Sequence, residues 1–131
     1  MTIVIDASVT VAALTDSGSV GAWADELLSS EDLIAPHLLP VEVANILRRI
    51  EHSGTVPRDA ITMAHDVLNR LYIDFYPYEP FADRVWQLRN NVTSYDAWYV
   101  AISEALDAPL ATLDRRLAQA PGTSCRFIAP T

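Results

Sequence analysis

Four carboxylates in this chain stand where a solvated surface would not put them: Asp6, Glu42, Asp96 and Asp114. Asp6 directly follows Ile3-Val4-Ile5, a β-branched run that reads as a buried strand. Asp114 directly follows Leu110-Ala111-Thr112-Leu113 and takes the equivalent place on another strand, again before a helix. Glu42 is the only charge between Leu38 and Leu47, the most apolar helix start in the chain. Asp96 falls in the first turn of a strongly apolar helix, with Ser94 as its expected N-cap. Each acid taken singly has a local explanation, as a cap or as a complement to the helix dipole. Four of them at strand ends and helix starts invite a joint one. An oxygen-only ligand set suits a hard cation such as Mg²⁺ or Mn²⁺. Such a centre can lower the pKa of bound water and clamp the oxygens of a phosphodiester.

The elements that must hold these acids follow from periodicity and turn residues. Strands are predicted over 2–5, 33–35, 72–76, 110–113 and 126–128. Helices are predicted over 7–14, 20–28, 40–52, 57–71, 80–90, 94–106 and 115–120. Pro40 and Pro57 open their helices, and Gly54 stops the one before it. Strands alternating with helices imply a parallel sheet covered on both faces. In that architecture ligands bind at the carboxyl ends of the strands, at a topological switch point. Asp6 and Asp114 would then face one crevice if their strands are neighbours.

The 131 residues fit one domain, residues 1–131, and half of them are hydrophobic, which is ample for a core. The balance is acidic, 17 Asp and Glu against nine basic residues, all arginine. That composition argues against non-specific duplex binding. It leaves room for a nucleic-acid substrate, since bound divalent metal reverses the local sign. One cysteine, Cys125, excludes an internal disulfide and suits a reducing, cytoplasmic setting. The first residues carry no basic n-region, and no stretch reaches the ~18 apolar residues a membrane span needs. His37, His52 and His65 have no ligand-like spacing with Cys125, which disfavours zinc. Four glycines, at 18, 21, 54 and 122, cannot form a nucleotide-binding fingerprint.

The segments VIDAS, LLPVEVANILRR, TSYDAWYVAISEAL and LATLDRRLA, in that order, resemble a PIN-domain ribonuclease, and more narrowly a VapC-type toxin of a toxin–antitoxin pair. The resemblance spans essentially the whole chain; SYDAWYVA followed by TLDRRL is its most specific part. It implies a three-layer α/β/α fold with a five-stranded parallel sheet. It implies Mg²⁺- or Mn²⁺-dependent endonucleolytic cleavage of RNA, with the acidic positions matching Asp6, Glu42, Asp96 and Asp114. Thr112 matches a small polar position near the last acid, and Ser8 and Asn45 are candidates for orienting the ligands. Some relatives carry a further acid two residues after the last one. Here that position is Arg116, so no fifth carboxylate is expected there. The resemblance also implies a homodimer and a small antitoxin that blocks the acidic groove with a basic side chain.

Arg48, Arg49, Arg115 and Arg116 are candidate contacts to RNA phosphates, against the plainer reading of a solvated helix face. Trp98 and Tyr99 offer rings for base stacking, with core packing the stronger expectation. Two rival functions stay open. One is a phosphatase using Asp6 as a covalent nucleophile, although such enzymes want an acid where this chain has Ser8. The other is a non-catalytic module that binds RNA or a partner, for which four intact acids would not be required.

Overall fold

The computed structural model describes Met1–Thr131. It opens with β1 (Thr2–Ile5), whose Ile3, Val4 and Ile5 are wholly buried, as a strand covered on both faces requires. Helices α1 (Ala7–Thr15) and α2 (Ser19–Ser30) lead to β2 (Asp32–Pro36). Helices α3 (Leu39–Ser53) and α4 (Arg58–Arg70) lead to β3 (Ile73–Tyr76). Gly54 ends α3 in the left-handed region at φ 78°, which a residue without Cβ adopts at little cost. A 3₁₀ turn (Glu79–Phe81), α5 (Ala82–Gln87) and α6 (Ser94–Leu106) precede β4 (Leu110–Ala111). The short α7 (Arg115–Ala118) and β5 (Phe127–Ile128) complete the chain.

All five strands are parallel, in the order β3-β2-β1-β4-β5. The sheet therefore grows outward from β1 in both directions. Right-handed crossovers then place α1 to α4 on one face and α5 and α6 on the other. The packing agrees: α1 meets α2, α3 and α4, α5 meets α6, and α6 lies against β1, β2 and β4. The three-layer α/β/α fold with a five-stranded parallel sheet is thus the one observed. Between the layers runs a single cluster of 29 buried apolar residues.

Three local expectations are corrected. The strand predicted over 110–113 stops at Ala111, because its neighbour β1 ends at Ile5, the partner of Ala111. Thr112 still bonds Ile128 through its backbone N–H, but its side chain turns to Asp6. Asp114 is therefore two residues beyond the position level with Asp6, and Thr112 occupies that position. The helix predicted over 80–90 is a 3₁₀ turn followed by a helix that ends at Gln87. Leu88 buries itself there, and the Arg89 guanidinium folds back onto the Trp86 carbonyl at 2.7 Å. The N-cap of α6 is Thr93, whose hydroxyl accepts from the Asp96 N–H at 3.2 Å; Ser94 is the first helical residue. No helix is long and apolar enough to cross a membrane.

Candidate metal centre

The sheet order reverses between β1 and β4, and this switch point sits at the carboxyl ends of both. Asp6 leaves β1 there and caps α1. Its Oδ1 accepts from the Ser8 hydroxyl at 2.6 Å and from the Val9 N–H at 3.1 Å. Its Oδ2 accepts from the Thr112 hydroxyl, across the strand pair. Three donors thus hold a carboxylate that is only 8% exposed. Burial pushes the Asp6 carboxyl above its ordinary range, against those hydrogen bonds, which pull it down.

Glu42 projects from the first turn of α3 and is half-buried. Its Oε1 accepts a 2.6 Å hydrogen bond from the Tyr99 hydroxyl on α6. Burial raises the Glu42 carboxyl; the Tyr99 bond opposes this, while the negative charges of Asp96 and Asp6 add to it. Asp96, one turn before Tyr99 on α6, is raised first by burial and then by Asp114 and Asp6. Asp114 caps α7, with Oδ1 accepting from the Arg116 and Leu117 N–H groups at 2.9 and 3.3 Å. It is exposed, and its backbone N–H donates to the Thr112 hydroxyl at 3.0 Å.

Asp96 thereby links the four acids, since it feels both Asp6 and Asp114, while Glu42 feels Asp6 and Asp96. None of the four forms an ion pair; the chain's three salt bridges lie elsewhere. No three of them close tightly enough to hold one ion by themselves. Asp96 and Asp114 line one groove, the charges of Asp6 and Asp96 act on Glu42, and none of the four has an ion-pair partner. This donor set fits a hard divalent cation, which takes oxygen ligands and would offset the repulsion.

Of the other residues singled out in the sequence, Ser8 and Thr112 touch Asp6 directly. Ser8 also accepts from the Leu113 N–H at 3.0 Å, so it ties the β4 exit to the same carboxylate. Asn45 is exposed, and its Oδ1 accepts from Arg48 at 3.3 Å rather than meeting Glu42. Arg48 lines a groove between α3 and α4, and Arg49 is exposed on α3. Arg115 faces a cleft toward Ala129 and Pro130. Arg116 alone of the four lines a groove with Asp96 and Asp114. Tyr99 is 1% exposed and belongs to the core; Trp98 is half-buried, edge-on to Tyr78 at 5.5 Å. Two residues of the site were not foreseen. Tyr99 reaches Glu42 with its hydroxyl, for which its i+3 spacing from Asp96 was the only signal. Arg89 lines the groove beside Asp96, and nothing in its surroundings in sequence marks it.

Comparison with known proteins agrees with this architecture. The PIN domain family profile matches residues 3–122. Ribonuclease VapC1 of Mycobacterium tuberculosis is 44% identical over 125 residues, 95% of this chain and 94% of that protein. The crystal structure of PAE2754 from Pyrobaculum aerophilum superposes with a TM-score of 0.72 at 24% identity, over 97% of this chain and 83% of that one. That of VapBC2 from Rickettsia felis, bound to a DNA fragment from its promoter, gives 0.69 at 13% identity, over the whole of both chains. The chain belongs to the PIN domain family and is of the VapC type.

Proposed function

We propose that this chain is a metal-dependent endoribonuclease that hydrolyses RNA phosphodiester bonds at Asp6, Glu42, Asp96 and Asp114, and that a cognate antitoxin neutralises it. The observation that carries the reading is the set of four unpaired carboxylates at the β1–β4 switch point, in a chain 44% identical to a ribonuclease. Bound Mg²⁺ or Mn²⁺ would supply an activated water and neutralise charge on the scissile phosphate.

The chain's own groups orient the ligands. Thr112, Ser8 and the Val9 N–H fix both oxygens of Asp6. Tyr99 fixes one oxygen of Glu42 and leaves the other free. Thr93 anchors the α6 turn that presents Asp96. Such outer contacts set ligand orientation and are commonly worth as much as a weak ligand. The three donors that hold Asp6 suit a fixed ligand better than a nucleophile that must swing onto substrate.

The unpaired acids also suit a basic segment of a small antitoxin, which would occupy the crevice by charge complementarity. A solved relative is a VapBC complex, in keeping with such a partner and with assembly beyond a monomer.

The test is a cleavage assay on structured RNAs with Mg²⁺, with EDTA, and with Asp6→Asn. Cleavage is expected only from the unmodified chain with metal. Activity that survives both chelation and the substitution sinks the metal-nuclease reading, and a phosphorylated Asp6 would replace it with the phosphatase one.

A further inference from the structure

We infer that Arg89 and Arg116 form a phosphate-binding subsite for the RNA strand, beside the scissile position. The inference rests on the ribonuclease reading and adds to it where the substrate backbone lies.

The two guanidinium groups line one open groove of about 510 Å³ together with Asp96 and Asp114. An acidic chain, with net charge −8, must still hold a polyanion if it is to cut one. Metal held by the carboxylates would neutralise charge at the scissile phosphate, and flanking phosphates would need cations of their own. Arg84 is spent on Glu104 and Arg126 on Asp107. Arg89 and Arg116 form no ion pair, even with the acids that share their groove. The Arg116 side chain makes no hydrogen bond within the protein, while its backbone N–H is held by Asp114. Arg89 is preset by two contacts. It lies over the Trp86 ring at 4.4 Å and donates one N–H to the Trp86 carbonyl. Its other donors remain free for a planar, two-point contact with a phosphate.

The groove wall is built rather than incidental. The Arg84–Glu104 pair reaches the loop after α7 from both sides, Arg84 donating to the Gly122 carbonyl at 2.8 Å and Glu104 accepting from the Ser124 N–H at 2.6 Å. Gly122, at φ 85°, lies so close under the groove residue Asn91 that a Cβ there would fall 2.5 Å from its amide nitrogen. The α5–α6 loop, which carries Arg89 and Asn90, thus packs against a segment that is itself held in place. The two guanidinium groups and the exposed amides of Asn90 and Asn91 offer donors to an anion along one side of the groove.

The experiment follows Mg²⁺-dependent cleavage of a fluorescein-labelled mixed-sequence single-stranded RNA by the full chain over a range of salt. Arg89→Gln and Arg116→Gln are each expected to raise KM by roughly three- to tenfold with kcat little changed, as lost uniform binding does. Each should also flatten log KM against log salt by about 0.7, the counterion share of one single-strand phosphate contact. Arg70→Gln, at the far end of α4, is the control for bulk charge. An unmoved KM and slope in the double variant, a loss confined to kcat, or an equal change with Arg70→Gln overturns the subsite while leaving the nuclease intact. Failure of the unmodified chain to cleave any RNA overturns both readings.

Discussion

The Tyr99 hydroxyl on α6 donates a 2.6 Å hydrogen bond to Glu42 Oε1 on α3, joining residues 57 positions apart. The two helices lie on opposite faces of the sheet, so this bond bridges the layers where the acids meet. It also fixes which Glu42 oxygen remains free.

Tyr99→Phe removes that donor and leaves a half-buried carboxylate oxygen without its partner. Unfolding in urea should show a loss of about 1.5–3 kcal/mol, the range for a hydrogen bond to a charged group. On the proposed reading RNA cleavage should fall by roughly tenfold or more, because the ring remains but the Glu42 carboxylate is no longer oriented. Unchanged cleavage would remove Tyr99 from the site.

Thr112→Val nearly preserves volume and deletes one hydroxyl that serves two acids. It donates to Asp6 and accepts from the Asp114 N–H. Mg²⁺ affinity, read from the metal dependence of the melting temperature, should weaken by roughly 10–100-fold. Ser8→Ala should act in the same direction through Asp6 Oδ1 and the Leu113 N–H.

The carboxyls of Asp6, Glu42 and Asp96 are all raised, first by burial. A raised acid binds its proton more tightly in the folded state than in the unfolded one. Its contribution therefore destabilises the metal-free protein at neutral pH and is relieved as pH falls through the raised pKa toward the ordinary carboxylate range. Metal-free Asp6→Asn should accordingly melt higher than the unmodified chain at pH 7. The gap should narrow on acidification, and millimolar Mg²⁺ should stabilise only the unmodified chain. Equal melting temperatures at every pH would contradict the burial cost assigned to the Asp6 carboxylate.

Glu104 behaves oppositely. Burial alone would raise it, but Arg84 and the Ser124 N–H hold it below the usual range. Its stabilisation is complete above the ordinary glutamate pKa and is lost as pH falls through the lowered one. Glu104→Gln should cost about 1–3 kcal/mol at pH 7. That difference should shrink below the carboxylate range, as followed by denaturant titration at several pH values.

Much of this was legible in the sequence because it is local. The β-branched run before Asp6, the proline starts and Gly54 each act through neighbours within a few residues. The family's segments carried the four acids, and the alternation of strand and helix carried the parallel sheet. What the sequence could not supply is register. Whether Thr112 or Asp114 lies level with Asp6 depends on where β4 stops pairing, and that is set by β1, more than 100 residues away. The same holds for Tyr99 meeting Glu42 and for Arg89 sharing a groove with Arg116. By itself the sequence determined which groups carry charge and which elements they sit on. Only the tertiary structure decided which of those charges face one another, because burial, mutual repulsion and hydrogen bonding between distant segments exist only once the layers are packed.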